Sequence, residues 1–461
     1  MEEKLKANPL GTEPVARLLR QFAVPSVIAM LVSSLYNIVD QFFIGQAIGE
    51  LGNAATNIAF PLTISCVSIA LMFGIGGAAA FNLSMGRRQR EQAAYFIGNA
   101  VTVMIAGGLL LCVITQIFLK PLLTFFGAPE SVMPYAEVYT RITSLGFPFL
   151  ILSSGGGHLV RADGSPKVIM YCNLTGAVIN TVLDALFIFV FHWGMAGAAV
   201  ATIIGQIVAG TLVINYIRHF KTIPLTRNLF RMRWYYVKKI AALGMGPCTN
   251  QLAMMIVQIV LNNSLSYYGA HSVYGQAIPL ACAGIIMKVN QLFFSFPIGI
   301  SQGLQPIASY NYGAENYPRV KQAYLKALTY AFVVAAVAFT LFQVFPRQII
   351  GIFGEGSPEY YEFAEKFFRI FLLFTLLNVI QPITGNLFTA MGKPAKGMFI
   401  SLTRQIIFFL PLIVILPKFF GIDGIIYAGP VADGIAVIIA VFMVTYELKQ
   451  TKYKKSGNNG I

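Results

Sequence analysis

Two acids stand where acids are costly. Asp40 closes the apolar stretch that begins at Pro25, and on a helix Ser33, Tyr36, Asn37 and Asp40 share one face at three- and four-residue spacing. Asp184 lies in a second apolar stretch with Asn173 and Asn180, again on one face, and a third stretch carries Thr202 and Gln206 four apart. An Asp in lipid costs about 2.5–3.5 kcal/mol on an insertion scale, so each acid is a functional candidate. Asp40, Asn180, Asp184 and Thr202 could converge inside one helical bundle. Two carboxylates in one apolar cavity cannot both ionise cheaply, so such a site can take up and release a proton. The same hard oxygen donors could equally hold a sodium ion. The plainer alternative is that these groups only hydrogen-bond helices together.

The stretches that carry them are apolar runs of about 20 residues, each long enough to cross a bilayer as a helix. Twelve are expected, near 20–44, 54–80, 93–117, 137–158, 168–191 and 195–217, then 240–266, 273–300, 323–345, 364–388, 398–417 and 424–446. The runs are continuous rather than alternating, which favours helices over a barrel. Composition agrees: 56% of the 461 residues are hydrophobic, 11% are charged, and the mean hydropathy is +0.69. A soluble domain carries roughly 25% charge. The chain therefore reads as an all-α integral membrane protein. Its net charge of +15 does not point to nucleic acid, because the Lys and Arg residues sit in short connections between apolar spans. No signal peptide is expected, since no apolar segment with a cleavage site precedes the first span. The five cysteines (66, 112, 172, 248 and 282) all lie in apolar spans, and an odd number there argues against disulfides or a metal site.

Charge distribution orients the spans. Alternate connections, with both ends of the chain, carry two or more Lys or Arg each, including Lys4, Lys6, Arg87, Arg88 and Arg90; the remaining connections hold only Lys120, Arg347 and Lys418. Both termini are therefore expected in the cytoplasm, with an even number of spans. The chain also repeats itself. Gly86 answers Gly313, and Arg141 answers Arg369 after the pairs Phe126-Gly127 and Phe353-Gly354. Gly164-Ser165-Pro166-Lys167 answers Gly392-Lys393-Pro394-Ala395-Lys396, and Gly194 and Gly197 answer Gly421 and Gly424. All of these pairs share a nearly constant offset, and Pro25 answers Pro247 at a slightly shorter one. Six spans per half make the repeat parallel. We expect an amino-terminal six-helix bundle over 1–217, a basic cytoplasmic linker over 218–239 and a carboxy-terminal bundle over 240–461. Transporters so built bind substrate between the halves and rock to alternate access. Neither acid recurs: Asp40 maps to Asn262 and Asp184 to Pro411. Ion chemistry is thus expected in the first bundle.

The substrate cavity is expected to draw on Tyr36, Asn37, Met254, Met287, Lys288, Phe293 and Arg404, since aromatic and Met side chains suit varied apolar ligands. Asp433 is a possible partner for Lys288 or Arg404. Pro25, four turns before Asp40, is the candidate hinge. No catalytic, phosphate-loop or ATP-binding pattern occurs, and the four His residues form no cluster. No cofactor is expected, and no metal beyond a sodium ion at the coupling residues.

Twelve spans in two repeats, with Pro25…Asn37-Ile38-Val39-Asp40, the loop Arg161-Ala162-Asp163-Gly164-Ser165-Pro166-Lys167 and Asn180…Asp184, resemble the multidrug and toxic compound extrusion (MATE) transporters. The resemblance covers nearly the whole chain and is nearest to the DinF-type, MepA-like branch. It implies a monomeric antiporter of the cell membrane that exports cationic, amphipathic small molecules in exchange for H+ or Na+. It also implies that Asp40, Asn180, Asp184 and Thr202 form the cation site. Two rivals are a flippase for lipid-linked precursors, which should show a strongly cationic central cavity, and an intramembrane aspartyl protease, which needs a Gly beside a catalytic Asp that neither acid has.

Overall fold

The computed structural model of the protein describes residues 8–275, 277–352 and 357–457, and among these every regular element is helical. Phe353-Gly354, Lys4 and Lys6 lie outside the described residues. The first six spans are α1 (Val15–Ile48), α2 (Glu50–Gly86), α3 (Arg90–Ile117), α4 (Met133–Thr143 continued by Phe147–Ala162), α5 (Pro166–Val190) and α6 (Gly194–Arg218). The second six are α7 (Trp234–Ala270), α8 (Ala277–Gly313), α9 (Tyr317–Val344), α10 (Pro358–Phe371 with Thr375–Ala390), α11 (Pro394–Phe420) and α12 (Ile422–Gly457). They form two six-helix bundles, as expected.

The repeat persists in backbone detail. α4 is interrupted by a 3-10 turn at Ser144–Gly146, and α10 bends by 48° between Phe371 and Thr375. A break inside lipid strands carbonyl groups that need donors. The Gln116 amide donates to the Arg141 carbonyl (2.7 Å), and Gln343, its counterpart in the second half, donates to the Arg369 carbonyl (2.9 Å). Left-handed backbone recurs at the same interval, in Arg88 and Glu315 (φ 62° and 59°) and in Gly194 and Gly421 (55° and 59°).

Two helices belong to both bundles. α1 has 34 residues and α7 has 37, which at about 1.5 Å per residue exceeds the ~30 Å hydrocarbon thickness. The first turns of α1 bury Val15, Leu18, Leu19, Phe22 and Ala23 in the core of the second bundle, beside Leu304 and Ile307, whereas Ile44 packs with Leu119, Ala136 and Ile188 of the first. α7 does the reverse: Val237 and Ile240 lie in the first core, and Val257, Leu261 and Leu265 in the second. Pro25 and Pro247 sit inside these helices near the crossings.

The crossing ends are clamped. Asn311 donates to the Leu10 carbonyl (2.8 Å), and Arg319 donates to the carbonyls of Leu10 (3.1 Å) and Glu13 (2.7 Å). Ahead of α7, Asn99 Oδ1 accepts the Arg233 N–H (2.7 Å) and the Thr102 hydroxyl donates to the Phe230 carbonyl (2.8 Å). Asp163 accepts the N–H groups of Lys221 (2.7 Å) and Thr222 (2.9 Å) and the Tyr216 hydroxyl (2.8 Å). Segment 218–233 is therefore fastened to the first bundle.

Glycines let the bundles meet. A Cβ on Gly244 would stand 1.8 Å from the Met72 carbonyl oxygen, and one on Gly76 would stand 2.1 Å from that of Ile240. Gly86 and Gly313 likewise bring α2 against α8. Close small-residue contacts of this kind are the usual adhesive between helices in lipid. All of them lie toward the end that carries Arg87, Arg88, Arg90 and the basic linker.

Candidate functional site

α5 and α6 approach closely because both are small at the crossing. A Cβ on Gly205 would lie 2.8 Å from the Gly176 carbonyl oxygen and 3.0 Å from Asn180 Cβ. The approach brings Asn180 and Asp184 toward Thr202 and Gln206, and α1 closes the space from the other side. The result is a cavity of about 120 Å³ whose lining includes Ser33, Tyr36, Asn173, Asn180, Thr202 and Gln206. All of its lining belongs to the first bundle. Pockets for drug-sized ligands begin at about 300 Å³. This one has room for an ion and a few waters.

Asp40 and Asp184 adjoin each other at this site, with the Asn180 amide beside Asp184. Asp184 is wholly buried and Asn180 is 3% exposed. Their polar atoms are unspent. Both Asp184 oxygens, one Asp40 oxygen, both Asn180 amide atoms, the Thr202 hydroxyl and the Gln206 carbonyl are buried without a hydrogen-bond partner among the described residues. Buried polar groups are nearly always paired, and an orphan costs about 1–3 kcal/mol. Several on facing helices mark a place where a proton, a cation or water completes the set. Hard oxygen donors of this kind suit sodium. α5 also passes into a π-helical turn at Leu186–Val190, which begins two residues after Asp184. Such turns occur often at functional positions.

Tyr139 completes the cluster and is absent from the sequence candidates. It stands near Asp40, Tyr36 and Asp184, with Thr202 beside its hydroxyl. The repeat holds the clue: the counterpart of Tyr139 in the second half is Phe367, just as Thr202 maps to Gly429. The first half alone carries these polar groups.

The expected substrate residues do not assemble as one wall. Tyr36 lines the cavity. Asn37 is exposed and spends its amide on the Ser33 carbonyl (2.7 Å). Met254 is exposed, Met287 packs against the second core, and Lys288 is half-buried on α8. Phe293 departs from the expectation. It is 4% exposed and lies edge-to-face on Phe342, because its side of α8 turns into the second bundle. Arg404 departs too. Its guanidinium pairs with buried Asp433, whose other oxygen accepts from Asn378 (2.6 Å). The second bundle thus holds a closed polar triad where the first holds an open one. Pro25 is buried inside α1, and the Ser26 hydroxyl donates to the neighbouring Phe22 carbonyl (2.8 Å).

Known proteins fit this architecture. The chain is 25% identical over 436 residues to the multidrug export protein MepA of Staphylococcus haemolyticus (strain JCSC1435), covering 94% of each, and 24% identical over 436 residues to that of Staphylococcus aureus (strain MSSA476), again covering 94% of each. Among solved structures it superposes on an outward-facing multidrug resistance MATE family transporter of the MOP superfamily with a TM-score of 0.90, at 20% identity, covering 98% of this chain and 100% of that one. The MatE family profile matches residues 25–186 and 248–415. With both repeats matched by that profile, this multi-pass membrane protein belongs to the MatE family of transporters.

Proposed function

We propose that the protein is a secondary active exporter that moves cationic, amphipathic small molecules out of the cell in exchange for H+ or Na+. It works as a monomer in the cell membrane, with both termini in the cytoplasm, and needs no cofactor. The observation that carries this reading is the set of unspent polar atoms on Asp40, Asn180, Asp184 and Thr202, beside a cavity too small for a drug.

The cation sits among Asp40, Asn180, Asp184 and Thr202, and the drug binds elsewhere, between the bundles. Charge on Asp40 and Asp184 draws a cationic drug toward the first bundle. When a proton or sodium ion arrives from outside, the site is neutralised and that attraction falls. α1 bends at Pro25, the drug leaves outward, and the bundles rock to release the cation inside. The glycine contacts at the basic end part in that step.

The test uses the purified protein in vesicles, with pH and Na+ gradients imposed separately and efflux of a cationic dye followed. One gradient is expected to drive efflux, and Asp40→Asn and Asp184→Asn are each expected to abolish it while the protein still inserts and folds. Efflux at the wild-type rate in both variants would overturn the coupling assignment. Efflux indifferent to both gradients would overturn the antiport.

A further inference from the structure

A second cavity lies far from the acids, at the basic end, where the start of α1 passes from the second bundle to α5 of the first. It is a groove of about 460 Å³ between the start of α1 and the start of α5, lined by Arg17, Arg20, Gln21, Val24, Pro25 and Lys167. Three of its six lining residues are cationic. Glu13 is the acid beside them, and its ion pair among the described residues is with Arg17, at 3.8 Å. Arg20 uses one guanidinium N–H on the Ala16 carbonyl (3.4 Å), and Lys167 is exposed with no ion-pair partner among the described residues. The groove is therefore under-neutralised. An apolar lane leads away from it. On α1, Val24 (55% exposed) is followed one turn on by Ile28; on α5, Tyr171 and Leu174 stand four and seven residues after Lys167, and all are exposed. At those spacings each helix presents its apolar residues below its cations.

We propose that this groove binds an anionic phospholipid of the adjoining leaflet. The phosphate sits among Arg17, Arg20 and Lys167, and an acyl chain runs along Val24, Ile28, Tyr171 and Leu174. Basic pockets between spans at a leaflet surface take lipid phosphate through charge-assisted hydrogen bonds. The apolar lane argues for a lipid over free phosphate, which would leave it bare. Pro25 forms one wall, so an occupied groove packs against the segment where α1 crosses between bundles. The proposal does not depend on which ion drives transport.

Native mass spectrometry of the full-length protein in detergent, with equimolar phosphatidylglycerol and phosphatidylcholine, tests it. The wild type is expected to retain phosphatidylglycerol preferentially. The triple variant Arg17→Gln/Arg20→Gln/Lys167→Gln should lose that preference by about fivefold per charge removed, with phosphatidylcholine unchanged. Arg227→Gln/Arg231→Gln, which lowers the basic charge elsewhere, should bind as the wild type does. Val24→Glu keeps all three cations but sets an acid in the wall, and should lose phosphatidylglycerol with an unchanged elution profile. Undiminished preference in the triple variant or in Val24→Glu would overturn the site. Displacement of phosphatidylglycerol by excess inorganic phosphate would replace the lipid with a free anion, and an equal loss in Arg227→Gln/Arg231→Gln would reduce the effect to net charge.

Discussion

At the scale of residues, the two bundles treat buried charge in opposite ways. In the second, Arg404, Asp433 and Asn378 satisfy one another. In the first, Asp40 and Asp184 face each other with open oxygens. A closed ion pair is weak evidence for function and costly to break from one side. Arg404→Ala is therefore expected to destabilise the protein by about 3–5 kcal/mol by leaving Asp433 buried and unpaired. The double variant Arg404→Met/Asp433→Leu should recover most of that loss, and melting curves in detergent would read both. Dye efflux by the double variant should stay near wild type, in contrast to the loss expected for Asp40→Asn and Asp184→Asn. This difference could not be read from composition: an Arg and an Asp in apolar spans look alike until their partners are known.

Among the helices, α1 and α7 are the elements that any relative motion of the bundles must deform, since each has its two ends buried in different cores. Each carries one interior proline near the crossing, and the two answer each other in the repeat. A proline in a helix interior removes a hydrogen bond and costs about 3 kcal/mol, so it marks where bending is least opposed. Pro25→Ala and Pro247→Ala are each expected to slow dye efflux while raising or preserving the melting temperature. Efflux unchanged in both would remove the hinge role. The glycine contacts act at the same scale. Gly244→Leu cannot be housed against the Met72 carbonyl, so the bundles should part at the basic end. In a background where Cys248 is the sole cysteine, its labelling by a water-soluble maleimide should then accelerate.

For the whole molecule, the fastenings define what moves as a unit. Segment 218–233 travels with the first bundle through Asn99, Thr102 and Asp163, and residues 10–13 travel with the second through Asn311 and Arg319. The linker is therefore fastened to the first bundle rather than a slack tether. Asn99→Ala/Thr102→Ala removes side-chain hydrogen bonds worth about 1 kcal/mol each. Amide exchange over 229–233 should rise several-fold, with little change in the cores. In the proposed cycle, a signal at the cation cavity reaches the drug path through α1, which carries Asp40 and Tyr36 and also packs on α8.

Much of this was legible in the chain itself. Hydropathy determined the spans because lipid admits only helices or closed barrels, and continuous apolar runs select the helix. The constant interval between Gly86 and Gly313, or Gly194 and Gly421, revealed the repeat because the same backbone geometry needs the same residue twice. The lone acids of the first half pointed to the open cluster, since nothing in the second half answers them. Tertiary structure decided the rest, because contacts between distant helices have no local signature. It alone turned Phe293 into a core residue, chose Arg404 over Lys288 as the partner of Asp433 and brought Tyr139 to Thr202. The crossing of α1 and α7 between the bundles was equally hidden, for apolar residues facing a neighbour's core read the same as residues facing their own.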